Sequence, residues 1–164
     1  MIDTGKIQTI TSIEAAVDVA IRVEQAGRDF YAKAREAARD PRCRTLFSFL
    51  AAEEEKHLGA YRAMMETVTG GAFQQDVLVG EYGMYIEMLG REITGGLALT
   101  EGLPLEDTLD MAVTLEKNTL LFYNELARLA KDEALRNGVE KIIREEQSHL
   151  VKLAEFRADF FSND

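Results

Sequence analysis

The 164-residue chain has little of what disulfide-bonded and all-β proteins depend on. It contains two prolines, no tryptophan and one cysteine, Cys43. A single cysteine excludes an intrachain disulfide, a zinc site built from several thiolates and an iron–sulfur cluster held by this chain alone. So few prolines leave little of the turn chemistry that many short strands require, and long helices are therefore favoured.

Positive charge and long apolar runs are also scarce. The 29 aspartates and glutamates outnumber the 19 lysines and arginines, which gives a formal net charge of −10. An acidic surface repels the phosphates of nucleic acids and anionic membranes, so we expect neither as a partner. No run approaches the roughly 20 apolar residues of a membrane span, and residues 1–12 lack the apolar stretch of a signal peptide. These features predict a cytoplasmic protein.

Apolar residues recur at helical spacing in four long stretches, at about 12–38, 41–68, 104–130 and 133–160. The first stretch opens with Thr11-x-x-Glu14, which has the spelling of a capping box. Short links join the stretches in pairs, so we expect two antiparallel helical hairpins, 12–69 and 104–160. The crossover between them, 70–103, contains one short predicted helix. The chain is thus predicted to be one domain, 1–164, with an all-α four-helix bundle.

The two predicted hairpins resemble each other when one is shifted onto the other by 92 positions. The residues that coincide are mostly carboxylates, tyrosines and histidines. A repeat of core packing alone would preserve apolar residues instead. Such a repeat predicts a pseudo-two-fold axis through the bundle. The coinciding pairs include Glu24 and Glu116, Tyr31 and Tyr123, Glu53 and Glu145, Glu54 and Glu146, and His57 and His149.

Each of the two histidines follows a glutamate by three residues, in Glu54-x-x-His57 and Glu146-x-x-His149. This spacing places both side chains on one helical face, one turn apart. In the second helix the predicted apolar seam begins at Phe49 and continues through this motif. The six candidate ligands all lie where a bundle normally places apolar residues: Glu24, Glu54, His57, Glu116, Glu146 and His149.

Four carboxylates on buried seams require compensation, because burying an isolated carboxylate costs many kcal/mol. No lysine or arginine lies on the same seams, whereas two divalent cations would balance four negative charges. Oxygen and nitrogen donors suit iron or manganese. The alternative is that the glutamates lie on solvated faces and the histidines are ordinary core residues. The repeated pattern favours a two-metal site over that alternative.

This constellation, in this order on four helices, resembles that of the ferritin-like di-iron carboxylate proteins, most nearly the rubrerythrin and bacterioferritin branches. The resemblance implies two iron ions per chain, with manganese or zinc as possible substitutes. Glu24 and His57 would bind one ion, and Glu116 and His149 the other. Glu54 and Glu146 would bridge the two ions.

The resemblance also implies roles for residues around the ligands. Tyr31 and Tyr123 match tyrosines that hydrogen-bond to ligand carboxylates. Glu53 and Glu145 stand where bacterioferritin-like chains carry an acid that holds the outer nitrogen of the ligand imidazole. The alternative for each tyrosine is a core aromatic whose hydroxyl is bonded elsewhere. The alternative for Glu53 and Glu145 is a solvated glutamate. No haem is expected, because the methionines are more often gap-filling core residues.

The activity implied by the resemblance is reduction of hydrogen peroxide or dioxygen at the di-iron site, as in rubrerythrins. One cysteine cannot form a rubredoxin domain, so electrons would come from a separate donor such as a rubredoxin-like protein. Rubrerythrins also carry a further glutamate on the third bundle helix. The corresponding turns here offer Val113, Thr119 and Leu120 instead.

Two alternatives to this activity are open. The first is a bacterioferritin-like ferroxidase that oxidises and passes on Fe(II). The second is a bundle whose metal site is structural, or a helical module that binds a membrane or a partner. A homodimer is expected for the redox enzyme, whereas a large hollow particle would favour iron storage.

Overall fold

The computed structural model describes residues 12–68, 80–97 and 102–162. The described residues form helices and no strand, in agreement with the predicted all-α fold. The four long stretches of the sequence become four long helices, and a shorter helix lies in the predicted crossover. The helices are α1 (Ile13–Ala37), α2 (Pro41–Thr67), α3 (Glu81–Gly95), α4 (Leu105–Leu129) and α5 (Glu133–Phe161).

Polar side chains cap the beginnings of three long helices. Ser12 begins α1 by accepting a hydrogen bond from the amide of Ala15 at 3.2 Å. The predicted capping residue, Thr11, lies outside the described residues, and the cap is one position later. Asp40 and Asp132 cap α2 and α5 in the same way. These caps satisfy amide groups of the first turn that have no partner within the helix.

The four long helices pack as two hairpins, α1 with α2 and α4 with α5. The hairpins meet along two seams, one between α1 and α4 and one between α2 and α5. Helix α3 packs against both α1 and α4, over the first of these seams. Gly90 allows this approach, because a Cβ atom there would lie 2.4 Å from Cγ1 of Val19 on α1.

The core of the bundle is apolar at both ends and polar in the middle. Large side chains such as Phe47, Leu50 and Phe122 are fully buried in the core. Buried carboxylates and imidazoles interrupt them near the centre of each long helix. Among the described residues, none of the helices is both long and apolar enough to cross a membrane.

Candidate metal centre

All four long helices contribute a carboxylate to one buried cluster, and α2 and α5 each add a histidine. The histidines lie one turn after a glutamate of the same helix, so both side chains of each motif point into the bundle. Each of these residues is at most 4% exposed. The cluster consists of Glu24 on α1, Glu54 and His57 on α2, Glu116 on α4, and Glu146 and His149 on α5.

The cluster divides into two overlapping groups of four residues. Glu24, Glu54, His57 and Glu146 form one group, and Glu54, Glu116, Glu146 and His149 form the other. Within each group one potential ligand atom per residue lies within 4.8 Å of all the others. Glu54 and Glu146 belong to both groups. The structure therefore brings all six candidate ligands together, with the two shared glutamates between the two groups.

Several polar atoms in the cluster are buried without a hydrogen bond in the part of the chain that the structure describes. They include Oε2 of Glu24, Nδ1 of His57 and Oε1 of Glu146. Nδ1 of His57 lies 2.9 Å from Oε1 of Glu146 and 3.5 Å from Oε2 of Glu54. Leaving a buried polar atom unpaired costs about 1–3 kcal/mol, and more for a charged group. Bound cations would satisfy these atoms together.

Burial and mutual repulsion shift the pKa values of the acids in the cluster. Burial and the neighbouring carboxylates raise the pKa of Glu24 and of Glu116 well above the ordinary value. Burial opposes ionisation of Glu146 as well, but the hydrogen bond from His149 and the nearby imidazole of His57 lower its pKa to about 2. Burial opposes protonation of His57, but the surrounding glutamates raise its pKa above the ordinary value. Protons and cations therefore compete for the same atoms.

Two tyrosines connect the hairpins through the cluster. The hydroxyl of Tyr31 on α1 donates a hydrogen bond to Oε1 of Glu116 on α4. The hydroxyl of Tyr123 on α4 donates to Oε1 of Glu24 on α1. Both tyrosines are fully buried. Each bond occupies one carboxylate oxygen and so fixes the orientation of the other.

The two glutamates beside the bridging positions do not behave alike. Oε2 of Glu145 lies 3.0 Å from Nε2 of His57. Glu53, its counterpart in the first hairpin, pairs with Lys56 on its own helix. Glu53 and Glu145 are equivalent in the sequence repeat, but they have different partners in the structure.

Two aromatic residues beside the cluster, Tyr61 and Phe49, have no role in the site that was predicted from the sequence. Tyr61 is fully buried, its hydroxyl has no partner among the described residues, and its ring centroid lies 5.1 Å from that of Tyr123. Its place four residues after His57 puts it on the same helical face. The prediction that Phe49 begins a buried seam is wrong. Its side chain is 40% exposed, and its ring meets the ring of His149 edge-on at 6.1 Å.

The arrangement of helices is similar to that of a solved structure from Thermotoga maritima, provisionally described as a ferritin-like diiron-carboxylate protein. The TM-score is 0.70, and the alignment covers 91% of this chain and 96% of that one. The chain has the ferritin-like fold. No protein family model and no curated protein matches its sequence. At 24% identity the similarity concerns the ferritin-like fold, and the case for a metal centre depends on the six buried side chains.

Proposed function

We propose that the protein is a di-iron oxidoreductase that reduces hydrogen peroxide or dioxygen, similar in activity to rubrerythrins. The observation that carries the proposal is the pair of overlapping ligand groups that share Glu54 and Glu146. A single-metal site would need only one such group. Two groups with common carboxylates suit two ions held side by side.

The chemistry of the donors fits a pair of divalent iron ions. The four buried glutamates supply four negative charges, which two divalent cations neutralise. The donors are carboxylate oxygens and imidazole nitrogens, which suit iron and manganese and also accept zinc. Two bound ferrous ions would supply two electrons to a small oxidant held between or beside them.

The protein's own residues would position the ligands and limit access to them. Tyr31 and Tyr123 hold Glu116 and Glu24 by one oxygen each, so that the remaining oxygens can turn toward the ions. The near-complete burial of the cluster excludes bulk water and so strengthens its electrostatic interactions. The buried hydroxyl of Tyr61, which has no hydrogen-bond partner among the described residues, would be a donor for a small molecule that reached it.

Reduction of one hydrogen peroxide molecule takes up two electrons and two protons and releases two water molecules. Repeated turnover therefore needs a supply of electrons. The one cysteine, Cys43, is buried, so the chain has no thiolate cluster of its own to deliver them. We propose a separate electron donor of the rubredoxin type, and a cytoplasmic homodimer as the working form.

A second function, oxidation of Fe(II) for storage or transfer, is favoured by the composition of the ligand set. The groups contain two histidines and four glutamates, as in bacterioferritin-like centres. In the turns of α4 next to Glu116, the residues Val113, Thr119 and Leu120 supply no further carboxylate. In this case Fe(II) would be a substrate as well as an occupant of the site.

The test is to load the protein with two equivalents of Fe(II) per chain under argon and mix it rapidly with hydrogen peroxide or dioxygen. The proposal predicts rapid formation of ferric absorbance together with accelerated loss of the oxidant. A Glu54→Ala, Glu146→Ala double variant is the control for iron in solution. If the loaded protein and the control consume oxidant at the same rate, the oxidoreductase proposal is wrong.

Excess Fe(II) distinguishes the two functions. The oxidoreductase should oxidise about two irons per chain and then stop until an electron donor reduces the centre. A ferroxidase should continue, and the product should elute as a large particle with a mineral core. Solution mass measured on the same sample tests the proposed homodimer.

A further inference from the structure

The two halves of the centre are related by the internal repeat, but their surroundings differ at the histidines. Each imidazole has its Nδ1 atom 2.9 Å from an oxygen of Glu146. The opposite nitrogen, Nε2, is therefore the atom available to an outer partner. We call the side of the cluster with Glu24 and His57 the His57 half, and the side with Glu116 and His149 the His149 half.

In the His57 half, the outer nitrogen has a carboxylate partner. Nε2 of His57 lies 3.0 Å from Oε2 of Glu145. Lys141 lies 3.9 Å from the other oxygen of Glu145 and leaves Oε2 to the imidazole. Such a hydrogen bond places the ring proton on Nε2, leaves the lone pair on Nδ1 and makes Nδ1 a stronger ligand.

In the His149 half, the equivalent carboxylate is held elsewhere. Glu53 occupies the matching position of the repeat, but it pairs with Lys56. The residue that corresponds to Lys56 in the second hairpin is Ser148, which has no charge. The ring of His149 forms a T-shaped contact with the ring of Phe49, which carries no oxygen or nitrogen acceptor. Within the described residues, no carboxylate bonds Nε2 of His149.

We propose that the two ion positions are unequal, and that the His57 half binds the first ion and the His149 half a weaker, more readily exchanged second ion. The inference depends on the proposed two-metal centre. Loss of an outer hydrogen bond to a ligand imidazole typically lowers metal affinity about 10–100-fold, and we expect a ratio of that size. Glu145 is thus a positioning residue that acts through His57, and Lys56 creates the difference by holding Glu53.

Titration of the full chain with Co(II) under argon, followed by calorimetry and visible absorption, tests the order of binding. We expect two steps whose affinities differ about 10–100-fold. The tight step should remain in Glu116→Ala, and only the weak step should remain in Glu24→Ala. Two equal steps, or loss of the tight step in Glu116→Ala, would overturn the inference.

Co(II) separates this inference from the proposed function, because its binding requires no reaction with an oxidant. Equal affinities would contradict the inequality alone and leave the oxidoreductase activity to its own test. A lack of Co(II) binding would overturn both. An inactive iron-loaded protein that still binds Co(II) in two unequal steps would contradict only the oxidoreductase proposal.

Variants of the outer residues test the cause. Glu145→Gln should weaken the first step about 10–100-fold, while Glu53→Gln, its matched control in the repeat, should change neither step. Lys56→Ser should release Glu53 toward His149 and strengthen the second step. The double variant Lys56→Ser, Glu53→Gln should lose that gain. Unchanged affinity in both Glu145→Gln and Lys56→Ser would overturn the assigned cause.

Proton NMR of the Co(II) protein provides a readout that a loss of stability would not mimic. The Nε2 proton of His57 should give a hyperfine-shifted signal protected from solvent exchange when one equivalent is bound. Glu145→Gln should move this signal and increase its exchange, and Glu145→Asp should restore it in part. A first signal unaffected by Glu145→Gln would show that the first ion does not use this histidine in the proposed way.

Discussion

Tyr31 and Glu116 lie 85 positions apart in the chain, on different hairpins, and are joined by a buried hydrogen bond inside the bundle. The repeat supplies the reverse bond, from Tyr123 to Glu24. Each tyrosine therefore orients a carboxylate of the opposite hairpin. The position of the proposed ligands depends on the packing of α1 against α4 as well as on each helix alone.

Replacing either tyrosine by phenylalanine should weaken binding of the adjacent ion. Tyr31→Phe removes the bond to Glu116, and Tyr123→Phe removes the bond to Glu24. The expected loss of affinity is about 10–100-fold, as for other residues that orient metal ligands. Isothermal titration with Co(II) measures it. Tyr85→Phe, in a partly buried residue of α3 outside the cluster, is the control and should bind as the unmodified protein does. Equal affinity in all three variants would contradict the orienting role.

Removing one shared glutamate should prevent binding of a full pair of ions. Glu54→Ala and Glu146→Ala each delete an oxygen donor from both groups, so bound iron should fall below two per chain. Metal analysis after anaerobic desalting measures the ratio. Glu55→Ala is a suitable control, because Glu55 is on the same helix but pairs with Arg28 at the surface. Retention of two tightly bound ions in either Glu54→Ala or Glu146→Ala would contradict a bridging position.

Metal ions should stabilise the folded protein, because the cluster exists only when the four long helices are packed. A free ion concentration 100 times the dissociation constant would add about 2.7 kcal/mol per site to the free energy of unfolding. Thermal melts with and without Mn(II) or Fe(II) under argon measure this effect, and a chelator should reverse it. An unchanged melting temperature would argue against a metal centre. The Glu54→Ala, Glu146→Ala double variant provides the comparison without a complete site.

The packing of α3 makes a prediction that is separate from the metal. Gly90→Ala would place a Cβ atom 2.4 Å from Cγ1 of Val19, and such overpacking costs about 1–3 kcal/mol. Denaturant unfolding should show this loss, and Val19→Ala should relieve part of it in the double variant. Gly59→Ala is the matched control. It meets no atom within 4 Å and should stabilise the helix by about 0.5–1 kcal/mol.

The sequence predicted the helices and the convergence of the cluster because both follow from periodicity. Apolar spacing sets the buried face of each helix, and a glutamate three residues before a histidine shares that face. Metal binding by the cluster stays a prediction, as do the single domain 1–164 and the homodimer. The residues 69–79 and 98–101 of the predicted crossover lie outside the described residues.

The details that sequence did not predict depend on competition between neighbours. Glu53 and Glu145 are equivalent in the repeat, but the carboxylate of Glu53 forms an ion pair with Lys56, three residues later. The apolar seam predicts a buried Phe49, whereas its side chain is 40% exposed. The i, i+3 spacing of Glu53 and Lys56 within α2 could have predicted their pairing. The exposure of Phe49 depends instead on packing between helices, which no spacing rule for one helix contains.

The most direct test of the central claim is anomalous diffraction at the iron edge from crystals loaded with Fe(II) under argon. The account predicts two peaks per chain, about 3.5–4 Å apart, with oxygens of Glu54 and Glu146 contacting both. Absence of peaks, a single peak, or peaks outside the cluster while these carboxylates turn away would contradict it.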